Sequence, residues 1–121
     1  MNARRRILVV DDEQDIIDVL QEYLSPSNDV DTAVNATQAI ERVRAARPDL
    51  VFLDINMPGL NGVQALRLIK QIDETIPVLM VTANIDNALA AEAIKLGAFS
   101  YIPKPFNFKY LDHLIAAAWS R

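Results

Sequence analysis

The sequence contains no cysteine, which excludes disulfide bonds, thiolate metal sites and cysteine nucleophiles. It also has no apolar run that approaches the ~18 residues of a membrane-spanning helix. Residues 1–6 lead straight into a short apolar run that ends in acid at Asp11, so the N-terminus is not a signal peptide. These absences predict a cytoplasmic protein with no membrane contact.

Glycine and histidine are scarce, with three glycines and one histidine in the chain. No glycine-rich or Ser/Thr-rich loop follows Val10; acids stand there instead and would repel phosphate, which argues against a flavin- or nucleotide-binding module. The single histidine, His113, lies in the last predicted helix without a metal-ligand partner. It is therefore interpreted as a surface or interface histidine.

Composition and charge indicate one soluble globular domain over residues 1–121. The chain is 51% hydrophobic and 23% charged, a balance that excludes disorder. Its net charge of −4 argues against nucleic-acid binding by this chain alone. The three arginines that precede the first apolar run are too few for a basic nucleic-acid motif.

Five short apolar runs alternate with five segments of helical periodicity. The runs read as strands, and unbroken ones are typical of strands buried on both faces; they lie at Ile7–Val10, Val30–Val34, Leu50–Asp54, Val78–Val81 and Phe99–Ile102. Such alternation predicts an α/β fold with a parallel sheet, right-handed crossovers and helices on both faces. The second run is short and alternating, and Pro103 follows the fifth, so both are predicted to be edge strands.

Helix boundaries and inner faces follow from capping residues and apolar spacing. Asn35 and Asp86 are predicted to cap the second and fourth helices, and Gly97 to end the fourth. Apolar spacing assigns an inward face to the first, second and last helices, with members Ile16, Ile17, Leu20, Tyr23 and Leu24, then Ala39, Ile40, Val43 and Ala46, then Phe108, Leu111, Ile115 and Ala118.

Polar residues stand where the predicted strands end. Because the carboxyl ends of parallel strands share one edge of the sheet, we expect these side chains to meet: Asp11, Asp12, Asp54, Thr82 and Lys104. Three carboxylates at close range need a counter-charge, and an oxygen-only site of this kind suits Mg²⁺. A cation, a lysine, a hydroxyl and a nucleophilic carboxylate together suit a phosphoryl group.

Each of these residues also has an ordinary structural explanation. Asp11 and Asp12 could cap the first helix, and Asp54 could close a turn with Asn56. Thr82 alone is more often a plain strand residue, and Lys104 alone a solvated charge. Only the joint pattern favours a phosphoryl site.

In this pattern the sequence resembles the receiver domain of bacterial two-component response regulators. The matching segments cover essentially the whole chain in the family's order, namely Val10-Asp11-Asp12-Glu13, Asp54-Ile55-Asn56-Met57-Pro58-Gly59 with Gly62, Thr82-Ala83, Gly97-Ala98, Tyr101 and Lys104-Pro105-Phe106. The resemblance implies the flavodoxin-like, doubly wound sheet of order 2-1-3-4-5.

The resemblance implies a phosphorylation-activated signalling switch and not an enzyme acting on external substrates. Asp54 would accept a phosphoryl group from a sensor histidine kinase or phosphotransfer protein. The implied ligands of Mg²⁺, or Mn²⁺, are Asp11, Asp12, Asp54 and the backbone carbonyl of Asn56.

The resemblance also assigns roles around the phosphoryl group. Thr82 and Lys104 would hold its oxygens, and the Lys104-Pro105 bond would be cis. Tyr101, which could otherwise be an ordinary core residue, would be the switch aromatic that moves inward with Thr82. Asn56 and Asn84 would tune the rate of dephosphorylation.

The output of this switch is left open by the sequence. It would act on a downstream protein target or an attached effector domain, and a phosphorylation-dependent homodimer through helix four, strand five and helix five is expected from the resemblance. The alternative function is a haloacid-dehalogenase-like phosphohydrolase. That family needs a second aspartate two residues after the nucleophile, where this chain has Asn56.

Overall fold

Five parallel strands and five helices alternate along the chain in the computed structural model, which describes residues 4–57, 59, 61–83 and 87–120. The strands are β1 Arg5–Val10, β2 Asn28–Ala33, β3 Leu50–Asp54, β4 Val78–Thr82 and β5 Ser100–Pro103. The helices are α1 Gln14–Leu24, α2 Ala36–Ala45, α3 Gly62–Ile72, α4 Asn87–Lys95 and α5 Phe108–Trp119. Within these ranges, none of the helices has both the length and the apolar character that a membrane crossing requires.

The strand order is β2-β1-β3-β4-β5, and every pairing is parallel. This confirms the flavodoxin-like fold, with β2 and β5 at the edges as predicted. The register aligns Val10 of β1 with Leu53 of β3, so the next residues, Asp11 and Asp54, leave the sheet side by side. On the other flank Asp54 pairs with Val81, which places Thr82 one residue further along the same edge.

The core has two layers, one on each face of the sheet. Alternate residues of the central strands point to opposite faces, and helices cover both faces. The strands β3 and β4 are therefore buried at every position. Val51, Leu53 and Met80 pack with α2, α3 and α4, whereas Phe52 and Leu79 pack with α1 and α5. Complete burial explains why the sequences of these two strands are unbroken apolar runs.

Asn35 and Gly97, two of the three predicted helix-end residues, behave as predicted, and α3 has a cap that is not among the predictions. The Asn35 side chain accepts a hydrogen bond from the backbone N–H of Gln38, and Asn61 and Gln64 form a reciprocal capping box at α3. Gly97 has a φ of +108° after α4, a conformation that favours glycine at a helix end. Asp86, the predicted cap of α4, lies outside the described residues.

Three residues predicted to face inward lie at the surface instead. Tyr23 and Phe108 are exposed; their rings stack on each other with centroids 4.1 Å apart, and the Tyr23 hydroxyl donates to Asp112 at 2.7 Å. These two aromatic residues join α1 to α5 outside the core, because both lie at the margin of their helices' apolar stripes. Ala46 is exposed because α2 ends at Ala45 and Ala46 is already extended.

Helix α3 begins in direct contact with the end of β3. The Gly62 N–H donates to the carbonyl of Ile55 at 2.8 Å, and a Cβ added at Gly62 would lie 2.1 Å from the backbone oxygen of Asp54. Backbone atoms cannot move aside as a flexible side chain can. Glycine is therefore required here by close approach to the Asp54 backbone.

Replacing Gly62 by alanine is expected to lower the free energy of unfolding by about 2–3 kcal/mol, because the new methyl group overlaps the Asp54 backbone. Urea unfolding measures the change. Gly59→Ala is the control: its φ of +79° is unfavourable for alanine, but the added Cβ meets no atom of the described residues within 4 Å, so a loss of only about 1 kcal/mol is expected. Equal losses for the two variants would contradict the close-approach account.

Candidate functional site at the carboxyl edge of the sheet

Three carboxylates meet where β1 and β3 end. Asp11, Asp12 and Asp54 each place an oxygen within 4.8 Å of the others. Asp11 and Asp54 are buried, with exposures of 1% and 3%, whereas Asp12 is exposed. The predicted convergence of these residues is confirmed, and the cluster opens to solvent on the Asp12 side.

Backbone hydrogen bonds fix the two buried carboxylates. The Asp11 N–H donates to the carbonyl of Ala33 in β2, and an Asp11 carboxylate oxygen accepts the Glu13 N–H at 2.9 Å. An Asp54 oxygen accepts the Asn56 N–H at 3.2 Å, so Asp54 does close a turn as well as join the cluster. The N-cap of α1 is Glu13; capping therefore does not account for Asp11 or Asp12.

Lys104 supplies the positive charge of the site. Its ammonium lies 2.9 Å from an Asp11 oxygen, 3.5 Å from Glu13 and 3.7 Å from Asp54. The lysine side chain is only 10% exposed, so it is not the solvated charge that a lone lysine would be. The Lys104-Pro105 bond is cis, and the Lys104 N–H donates to the carbonyl of Thr82.

Both Asp54 and Lys104 have a raised pKa, as the balance of burial and neighbouring charges determines. Burial, reinforced by the charge of Asp11, raises the pKa of Asp54 to about 6, although Lys104 and the Asn56 N–H oppose the shift. Burial acts to lower the pKa of Lys104, but the hydrogen bond to Asp11 and the charges of Asp54, Asp11 and Glu13 outweigh it, so this pKa is raised. The carboxylates and the ammonium therefore hold each other in a site that is short of positive charge.

Three of the four remaining predicted site residues, Thr82, Tyr101 and Asn56, lie in the part of the chain that the structure describes. Thr82 is buried at the end of β4, on the same face as Met80 by strand alternation. Tyr101 pairs with Met80 and packs, partly buried, against the α2–α3–α4 layer of the core. Asn56 is exposed beside Asp54, and Asn84 lies outside the described residues.

Glu13 belongs to one of the segments that match the receiver family, but the sequence analysis assigns it no role. The structure places its carboxylate against Lys104, 91 positions away in the chain. Its only signal in the sequence is its position directly after the two acids.

His113 is exposed on α5, as predicted.

The raised pKa of Asp54 predicts that the metal-free protein gains stability on mild acidification. The folded carboxyl binds a proton near pH 6 and the unfolded one near about pH 4, so the folded state takes up the proton first as the pH falls. From pH 7 to 5 this proton is expected to add about 1–2 kcal/mol to the free energy of unfolding.

Chemical unfolding in EDTA at several pH values measures the effect. Asp54→Asn is expected to be more stable than the wild type at pH 7 and to lose this component of the pH dependence. Asp15→Asn, at an exposed acid in the first turn of α1, is expected to keep the wild-type slope. A wild-type slope in Asp54→Asn would contradict the assignment.

Comparison with known proteins identifies the arrangement. The family model of the response regulator receiver domain matches residues 7–116. The DNA-binding response regulator MtrA of Mycobacterium tuberculosis is 42% identical over 120 residues, which are 98% of this chain and 52% of MtrA. The chain thus spans about half the length of this curated relative.

Solved structures agree with the family match. The signal receiver domain of an HD domain-containing protein from Pseudomonas fluorescens superposes with a TM-score of 0.93 at 30% identity, covering 98% of this chain and 96% of that one. The receiver domain of NtrX from Brucella abortus gives 0.87 at 37% identity, covering 93% and 96%. These matches do not support the haloacid-dehalogenase alternative. The chain belongs to the response regulator receiver family and is the receiver domain of a two-component response regulator.

Proposed function

We propose that Asp54 is the phosphoacceptor of this receiver domain, with a divalent cation, Mg²⁺ or Mn²⁺, bound beside it. The observation that carries the proposal is the position of Asp54, buried at the carboxyl edge among Asp11, Asp12 and the ammonium of Lys104. The donor set consists of oxygens only, which suits a hard cation. Asp11, Asp12, Asp54 and the backbone carbonyl of Asn56 are the proposed ligands.

The proposed reaction is a transfer to a carboxylate oxygen. An Asp54 oxygen attacks the phosphorus of a phosphohistidine, the new O–P bond forms, and the P–N bond breaks with its electron pair leaving on the imidazole. The bound cation would neutralise phosphoryl oxygen charge during the transfer. The chain catalyses only this transfer and the later hydrolysis of its own acyl phosphate.

Lys104 and Thr82 are the proposed contacts of the transferred group. The Lys104 ammonium is already 3.7 Å from Asp54, so it can pair with a phosphoryl oxygen after a small displacement. Thr82 follows the residue of β4 that pairs with Asp54, and its hydroxyl is a hydrogen-bond donor. Asn56, exposed next to the site, and Asn84 are the proposed modulators of phosphoryl lifetime.

The proposed switch joins Thr82 to Tyr101. The two residues share the sheet face that packs against α3 and α4, so a shift of Thr82 toward the phosphoryl group opens space next to the Tyr101 ring. Inward movement of this ring would change the surface of α4, β5 and α5. A local charge change would thereby bias a two-state element.

The partners follow from this mechanism and from the relatives. A sensor histidine kinase or phosphotransfer protein is the proposed phosphodonor in the cytoplasm, and residues 1–121 act as one receiver domain. MtrA is named as a DNA-binding regulator, so an attached DNA-binding effector is one proposed output and a separate protein target the other. Homodimerisation through the α4–β5–α5 surface is the proposed response to phosphorylation.

Acetyl phosphate with Mg²⁺ is expected to label the wild-type protein on Asp54, and Asp54→Asn is expected to lose essentially all label. The carboxylate attacks phosphorus, the O–P bond to acetate breaks, and acetate leaves with the electron pair. Intact-protein mass spectrometry detects the added phosphoryl group, and peptide mapping locates it.

Asp15→Asn is the matched control and is expected to label as the wild type does, because this exposed acid lies outside the cluster. Label retained by Asp54→Asn would overturn the assignment of the phosphoacceptor. Hydrolysis of small phosphoesters without labelling would overturn the receiver mechanism in favour of a phosphohydrolase.

Mg²⁺ is expected to stabilise the folded protein, since the unfolded chain does not assemble the three carboxylates. A concentration about a hundredfold above the dissociation constant should add about 2–3 kcal/mol to the free energy of unfolding. Asp12→Asn should lose most of this gain and be at least as stable as the wild type in EDTA, because Asp12 is exposed and its charge disfavours the ionised form of Asp54. The same gain in Asp12→Asn and the wild type would exclude Asp12 as a ligand.

A further inference from the structure

Glu13 occupies the N-cap of α1 without using its side chain as a cap. Its backbone is extended, with φ −97° and ψ 114°, and its carboxylate makes no capping hydrogen bond. Its backbone carbonyl alone accepts the first helical bonds, from Ile16 and Ile17. Glutamate is not among the residues that ordinarily cap a helix through their side chains, so the Glu13 carboxylate is available for another partner.

The Glu13 carboxylate contacts the ammonium of Lys104 instead, at 3.5 Å. It is the exposed member of the three acids around this ammonium, with 62% of its side chain accessible, whereas Asp11 and Asp54 are buried. The ammonium lies nearer to Asp11 and Glu13 than to Asp54. Asp11, the nearest partner, and Glu13 therefore both attract the ammonium toward the end of β1.

The attraction between Glu13 and Lys104 opposes a movement of the proposed mechanism, in which the ammonium approaches a phosphoryl group on Asp54. Pairing with a phosphoryl group on Asp54 draws the ammonium away from its present partners. Asp11 would be neutralised as a ligand of a divalent cation, but Glu13 is not one of the three clustered acids. Glu13 then remains as the competitor for Lys104.

We propose that Glu13 is a positioning residue that holds the Lys104 ammonium back from Asp54 and so limits how tightly the domain retains a phosphoryl group. This inference rests on the proposed function, because it concerns the same lysine and the same acceptor. It assigns to Glu13 a restraining role in the resting state and no contact with the phosphoryl group itself.

The test uses beryllium fluoride with saturating Mg²⁺, a phosphoryl mimic, with binding to the whole chain measured by ¹⁹F NMR titration. Glu13→Gln keeps the size of the side chain and removes its charge. It is expected to bind the mimic about two- to fivefold more tightly than the wild type, the range of an exposed ion pair. Dephosphorylation after acetyl phosphate labelling should slow by a similar factor.

Two further variants separate contact from general charge. Glu13→Asp keeps the charge but shortens the side chain, and aspartate at an N-cap bonds the helix N–H groups; it is expected to behave like Glu13→Gln. Asp15→Asn removes one charge two residues away without touching Lys104, and it is expected to remain close to the wild type.

Each outcome decides between the alternatives. Unchanged affinity for beryllium fluoride in Glu13→Gln would overturn the inference. It would also be overturned if Glu13→Asp bound the mimic as the wild type does, or if Asp15→Asn bound it as tightly as Glu13→Gln. Either of these two results would indicate an effect of net charge and not of the contact with Lys104. If the wild-type protein binds no beryllium fluoride, the proposed function itself is refuted. This outcome differs from the three above, in which the wild type binds the mimic and only the role of Glu13 fails.

Discussion

The carboxyl edge of this sheet depends on the attraction between the Lys104 ammonium and the acids that surround it. Asp11 and Asp54 are buried next to each other, and burying a carboxylate without compensation is costly. At an effective dielectric constant of about 20, two like charges about 5 Å apart repel by roughly 3 kcal/mol. One ammonium, 2.9 Å from Asp11, offsets part of that repulsion. Burial, together with the charge of Asp11, still raises the pKa of Asp54 to about 6, so Lys104 compensates this carboxylate only in part.

An incompletely balanced site is suited to exchange its counter-charges. Deficient positive charge favours a divalent cation, and a cation held by Asp11, Asp12 and Asp54 would weaken the hold of these acids on Lys104. The fold would hold Asp54 in place during such an exchange, because β3 is buried on both sides and Gly62 packs against the backbone of Asp54. Lys104 and Glu13 come from loops at the same edge of the sheet. The proposed mechanism therefore assigns the support of Asp54 to the sheet and the change of ion pairs to these loops.

Sequence patterns predicted the fold and the convergence of the acids because both depend on local features. Unbroken apolar runs that end in polar residues identify the central strands, and parallel order brings their ends together. The same patterns failed for Tyr23 and Phe108, since apolar spacing gives the stripe of a helix but not its margin, where these two rings stack on each other. The Glu13–Lys104 contact joins residues 91 positions apart, and the fit of Gly62 against Asp54 depends on the path of the loop. Neither contact can be predicted from the spacing of residues in the sequence.

The most direct test of the account is the titration of the Asp54 carboxyl carbon by ¹³C NMR, in EDTA and in saturating Mg²⁺. In the metal-free protein the midpoint should lie near the raised pKa of about 6. Mg²⁺ should move it down to or below the ordinary aspartate range of about 4, since a bound cation favours the ionised form. A midpoint already in the ordinary range without metal, and unchanged by Mg²⁺, would contradict the claim that these acids form one charge-deficient cation site.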